Sequence, residues 1–298
     1  ASMLGFGASL GGVFHALLAA GLVAGILAAV FHAEVVAHRV GEPYGTLLLA
    51  LAVTAIEVAL IVSLMISGGE AASGLARDTV FASVMIILNG MVGICLLSGG
   101  RRHREQSFGL YGVSAALATL AAISVLTLVL PTYTTSALGP VYSRSQLSFI
   151  ALVSLVLYGT FLLVQTVRHR DYFLPVVEQA DEAVHAPPPS PRMAILSAVL
   201  LIACLVAVVL LAKSISPALE AAVVGLGAPK TLVGIIIAAV VLLPESIAAY
   251  QAARANRLQT SLNLALGSAL ASICLTIPAV AIVSVATGWT LTLGIDEK

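Results

Sequence analysis

Leu51-Ala52-Val53-Thr54-Ala55-Ile56-Glu57-Val58-Ala59-Leu60-Ile61 sets one carboxylate in the middle of an apolar run, with no basic residue within a helical turn of it. A run of this kind is too long and too uniformly apolar for a half-solvated strand, and it reads as a helix with no wet face. Placing a carboxylate at the centre of a bilayer costs at least ~2.5 kcal/mol, so Glu57 must face a bundle interior. There it has either a function or a partner. The competing structural reading is a protonated glutamate hydrogen-bonded between helices.

The rest of the chain fits that setting. Its 298 residues are 60% hydrophobic and 9% charged, with a mean hydropathy of +1.08. A soluble chain needs more charge to cover its surface. The net charge of zero argues against nucleic acid as a partner. Cys95, Cys204 and Cys274 each sit in apolar surroundings without ligand-like spacing, and read as packing residues. No basic segment precedes the first apolar run, so no signal peptide is visible, and both ends look clipped.

Eight spanning helices are predicted, at approximately 11–36, 45–67, 78–98, 108–130, 146–167, 193–213, 228–250 and 259–287. Pro278 is expected to kink the last, and Trp289 sits where an interfacial anchor belongs. The fold class is therefore an all-α polytopic membrane protein. The polar stretch 168–192, with Glu178, Asp181, Glu182, His185 and three consecutive prolines, divides the chain. It reads as a cytosolic linker between a first membrane unit, 1–167, with five helices, and a second, 193–298, with three.

Arg39, Arg101, Arg102, Arg104, Arg168, Arg170, Arg192, Arg254 and Arg257 fall on one predicted face. Arg77, Arg144, Lys213, Lys230 and Lys298 fall on the other. The richer face should be cytosolic, which places Ala1 outside.

Glu245, in Val240-Val241-Leu242-Leu243-Pro244-Glu245-Ser246, is the second carboxylate inside an apolar run. Ser83 lies 26 residues beyond Glu57, and Ser268 lies 23 residues beyond Glu245, followed by Ser272 and Thr276. Those last three hydroxyls share one helical face. Small-residue packing is the alternative account of that stripe. An odd number of crossings separates the two glutamates, so the second unit is inverted relative to the first, as in many secondary transporters. Pro244 frees a carbonyl one turn earlier, which suits a cation if it lines a cavity.

Two facing buried carboxylates cannot both stay ionised without a cation, so they hold protons when empty. A cation with oxygen ligands, such as Ca²⁺, can displace those protons. That competition gives antiport if the site opens alternately to each side. No Gly-rich phosphate loop is present, and no cofactor is expected.

His38-Arg39-Val40-Gly41-Glu42-Pro43-Tyr44-Gly45-Thr46-Leu47, running on to Ile56-Glu57-Val58, resembles the first repeat of ChaA-type calcium (sodium, potassium)/proton antiporters of the calcium:cation antiporter superfamily. Leu243-Pro244-Glu245-Ser246, with Asn263-Leu264, Gly267 to Ser272 and Leu275 to Pro278, resembles the second. The similarity spans essentially the whole chain. The resemblance implies that Glu57 and Glu245 bind the transported cation, and that the complete fold has ten core helices, of which this chain lacks the last two. Many superfamily members carry Gly-Asn or Gly-Thr before the glutamate, where this chain has Val53-Thr54 and Val241-Leu242.

The residues expected to bind cation and protons are thus Glu57, Glu245, Ser83, Ser268 and Ser272. Glu42, Thr54, Asn89, Ser246 and Thr276 are secondary candidates. His32, Glu34 and His38 at the end of the first helix are a weaker metal candidate, since interfacial solvation explains them. Ca²⁺ is the leading substrate, with Na⁺ or K⁺ as alternatives, and the setting is a bacterial inner membrane. Rivals of another class are an intramembrane enzyme and a non-transporting sensor subunit. The chain carries no His-Glu-x-x-His and no Cys/His catalytic grouping, and the reading is of a non-enzyme.

Overall fold

The computed structural model describes residues 2–41, 44–174, 189–229 and 231–295. Glu42, Pro43, Lys230, Lys298 and the acidic cluster from Glu178 to His185 lie outside the described residues.

Each predicted span is helical. The helices are α1 (Ser2–Val40), α2 (Tyr44–Gly68), α3 (Leu75–His103), α4 (Leu110–Tyr133), α5 (Arg144–Arg168), α6 (Pro191–Gly225), α7 (Thr231–Val241), α8 (Leu243–Arg254) and α9 (Leu258–Thr287). Among the described residues six are long and apolar enough to cross a membrane, and the α7–α8 pair adds a seventh if counted as one span. Within α2, Leu51–Ile66 is a further apolar stretch. In lipid a spanning helix satisfies its own backbone, which is why chain this apolar resolves into helices. Among the described residues, β pairing is limited to an isolated bridge between Val141 and Thr292.

Two boundaries depart from expectation. α6 runs on to Gly225 through Lys213 and Pro217, which the sequence marks as an end. The predicted seventh span is broken at Leu242, and its halves α7 and α8 are bent by 53°. Pro244 explains the break, because it has no N–H for the Val240 carbonyl and its ring crowds that oxygen. By contrast α9 passes uninterrupted through Pro278. π-helical turns also interrupt α3 (Ile86–Met91), α4 (Val125–Val129) and the end of α5 (Val164–Arg168). Such turns insert one extra residue and rotate the side chains that follow.

Packing sorts the chain into two compact units, Ala1–Gly68 with Pro187–Ile236, and Gly69–Ala186 with Ile237–Lys298. The two predicted repeats are divisions of chain order, and each contributes helices to both units.

In the first unit α1 lies along α6, and α2 packs on both. Gly21, Gly25, Ala29, Ala33 and Ala37 recur every fourth residue, and the three alanines are buried. A Cβ at Gly25 would come within 3.1 Å of the Val208 methyl, so the small stripe sets how closely α1 and α6 approach. α1 ends at Gly41, whose φ of +78° is open to glycine and whose N–H reaches Ala37 O at 2.9 Å.

In the second unit α9 is the central helix, with α3, α4, α5 and α8 packed around it. Leu270, Ile273, Cys274, Ile277 and Val280 have no exposed surface. A polar clamp closes one end. Gly109 N donates to Gln259 Oε1 (2.6 Å), Gln259 Nε2 to Asn263 Oδ1 (2.9 Å), and Asn263 Nδ2 to Phe173 O (2.6 Å). Gly112 is required beside it, because a Cβ there would collide with the Tyr172 carbonyl. At the other end Arg77 bonds to Asp78 and donates to Gly294 O, and Gly294 N donates to Pro140 O. Tyr142 donates to Leu126 O at 2.6 Å, in the π turn of α4, and burial pushes its phenol up to about 12.

Candidate cation site

Glu57 lies in the first unit, on the unbroken helix α2, and is 2% exposed. Ile56, Leu60 and Ile61 around it are buried as well, so the carboxylate occupies a dry stretch of helix. Thr54, three residues earlier, is buried and shares its face. Desolvation at this position makes a lone negative charge unfavourable, and a proton or a cation removes the penalty.

Glu245, Ser246, Ser83, Asn89, Ser268, Ser272 and Thr276 lie in the second unit. Glu245 occupies the first turn of α8, directly after the break. It is half-buried as a residue, with Oε2 sealed from solvent. Ser246 N donates to Leu242 O at 2.9 Å, which restarts the helix on the far side of the break.

Ser83 is buried on α3, three residues before the start of its π turn. Asn89, within that turn, is exposed, and its Nδ2 donates to Met85 O at 3.1 Å. On α9, Ser268 is half-buried, while Ser272 and Thr276 are buried. The structure therefore brings the helices bearing Glu245, Ser83 and the α9 hydroxyls into one packed unit. Glu57, Ser83, Glu245 and Ser272 each take part in a polar or electrostatic interaction.

Two sets stand out among the buried hydroxyls. Thr79, Thr127 and Ser154 donate to the carbonyl four residues back, at 2.7 to 2.8 Å, and so are committed to their own helices. Thr276 Oγ1 and Ser261 Oγ have no such bond and no solvent. A buried polar atom left unsatisfied costs ~1–3 kcal/mol, so each calls for an occupant or a function. Ser261 was not among the predicted residues. Its seven-residue spacing to Ser268, which continues the α9 stripe by two turns, is the signal that marks it.

The weaker sequence candidates change character. His32 Nδ1 lies 3.4 Å from Ser197 Oγ. No group of three His, Cys, Asp or Glu side chains able to hold a metal occurs among the described residues. The three cysteines are free thiols.

Comparison with known proteins places these features. Residues 10–167 and 196–295 match the family described as sodium/calcium exchanger protein. The putative ionic transporter y4hA of Sinorhizobium fredii is 54% identical over 286 residues, covering 95% of this chain and 77% of the relative. The sodium-potassium/proton antiporter ChaA of Escherichia coli is 37% identical over 272 residues, covering 90% of this chain and 73% of the relative. The crystal structure of a Ca²⁺/H⁺ antiporter, YfkE, superimposes with a TM-score of 0.69 at 20% identity, covering 97% of this chain and 82% of that one. That likeness is one of fold.

Proposed function

The chain belongs to the sodium/calcium exchanger protein family, within the calcium:cation antiporters, and from that premise we propose that it exchanges a cation for protons at Glu57 and Glu245. The observation that carries the proposal is the 2% exposure of Glu57 in the middle of an apolar helix. Such a group is tolerated where its charge is matched in turn by a proton and by a cation.

The chemistry follows from charge balance. With no cation, the two carboxylates hold protons. A cation entering the site displaces them, and its shed water is replaced by carboxylate and hydroxyl oxygens. Ser83, Ser268 and Ser272 are proposed as those hydroxyl ligands, with Thr54, Asn89, Ser246, Thr276 and Glu42 in supporting roles. The two predicted repeats, 1–167 and 193–298, are proposed to be inverted copies, with the break at Leu242 as the feature that lets backbone oxygens approach a cation. The bacterial relatives support placement in a bacterial inner membrane, with the Arg-rich face cytosolic.

Ca²⁺ is the proposed cargo, because carboxylate and hydroxyl oxygens are hard ligands that suit it. A second reading, Na⁺ or K⁺ exchange, is favoured by the 37% identity to a sodium-potassium/proton antiporter. Uptake into proteoliposomes, driven by a pH gradient with Ca²⁺, Na⁺ and K⁺ compared side by side, separates the two. Absence of flux for all three would return the enzyme and sensor readings to contention.

A further inference from the structure

In the second unit, an open cavity of about 620 Å³ is lined by Ile94, Leu97, Arg101, Arg102, Tyr250 and Arg254. From these residues we propose that the cavity is a binding site for an anionic phospholipid, whose phosphate sits among the three guanidinium groups.

Helix geometry carries the assignment. Ile94, Leu97 and Arg101 follow one another at i, i+3 and i+7 on α3, so they share a face that changes from apolar to cationic at its end. Ile94 is 57% exposed and Leu97 62% exposed, which in a membrane helix means contact with acyl chains. On α8, Tyr250 and Arg254 stand one turn apart, with the Arg254 guanidinium 5.7 Å from the centre of the Tyr250 ring. A tyrosine with an apolar body and a polar tip marks headgroup depth. Acyl-chain wall, aromatic collar and cationic mouth therefore come in the order of a phospholipid's own parts.

The mouth is fixed in place. His103 Nε2 lies 2.8 Å from Arg254 O, and Gln106 Nε2 donates to Ala253 O at 2.8 Å, which ties the end of α3 to the end of α8. Arginines in a last helical turn also complement the helix dipole, and that accounts for each one singly. It does not account for three around one concavity with an acyl-facing wall. None of the three makes an ion pair among the described residues. Basic pockets between membrane helices have this character where they hold anionic headgroups.

The test is native mass spectrometry of the detergent-purified protein with phosphatidylglycerol, against phosphatidylcholine of the same chain length. Wild type is expected to retain phosphatidylglycerol selectively. Arg101→Gln and Arg254→Gln should each lower that retention by about fivefold, leaving phosphatidylcholine unchanged. Leu97→Glu, on an exposed side chain, should lower it by charge repulsion without loss of packing, and serves if the arginine variants fold poorly. The double variant Arg168→Gln/Arg170→Gln, away from the cavity, should retain the wild-type preference. Equal loss in that double variant, or undiminished retention in Leu97→Glu and the arginine variants, overturns the proposal. So does displacement by millimolar inorganic phosphate, which would identify a soluble phosphoanion as the ligand. Lipid retention is read without transport, so this outcome is independent of the exchange reaction.

Discussion

Glu57 sits within a continuous helix, whereas Glu245 opens a new one after a break, so the same carboxylate chemistry rests on two different backbones. Both were legible in the sequence as charges interrupting apolar runs. The hydroxyls were only partly so, because a sequence does not say which ones bond back to their own helix. Thr127 does and Thr276 does not, and that distinction yields a prediction. Ser272→Ala and Thr276→Ala should each weaken apparent cation affinity by about tenfold, as loss of an orienting or ligating oxygen does, while Thr127→Ala leaves it unchanged. Concentration dependence of uptake measures this, and equal effects at all three positions would contradict it. A second residue-scale prediction concerns Tyr142. Its phenol lies at about 12 against an ordinary 10.0, so the folded state holds that proton more tightly. The stability it contributes is complete below pH 10 and is lost as pH rises toward 12. The tyrosinate absorbance difference between wild type and Tyr142→Phe should therefore appear near pH 12, and a step near pH 10 would contradict it.

Among the elements, the existence and order of the helices follow from hydropathy alone. Their interruptions do not. Pro244 and Pro278 both lie inside apolar runs, yet one breaks its helix and the other is carried through α9. Pro217 is likewise carried through α6, so a proline in an apolar run does not by itself mark a break. Restoring the backbone donor with Pro244→Ala should straighten the α7–α8 junction and slow exchange, with cation binding retained. Wild-type turnover in that variant would remove the break from the mechanism. The polar clamp at the head of α9 makes a stability prediction. Gln259→Leu leaves the half-buried Gly109 N–H without its acceptor and should cost about 1 kcal/mol, read as a lower Tm in detergent. An unchanged Tm would show that another acceptor takes its place.

At the scale of the whole molecule, the sequence pattern supports a division by chain order, while packing joins α1 and α2 to α6, and α3 to α5 to α8 and α9. Neither is visible in the other, because repeats record the order of the chain and units record the contacts of folded helices. One of the two glutamates lies in each unit, and protons and cation are proposed to compete for them. That competition makes apparent affinity pH-dependent: each displaced proton should raise the apparent KM by up to about tenfold per unit of acidification. The most direct measurement is pH-gradient-driven Ca²⁺, Na⁺ and K⁺ uptake by proteoliposomes bearing wild type, Glu57→Gln or Glu245→Gln. Saturable uptake by wild type for at least one cation, lost in both variants while their Tm is retained, is the expected result. Wild-type flux in both variants would contradict exchange at these carboxylates.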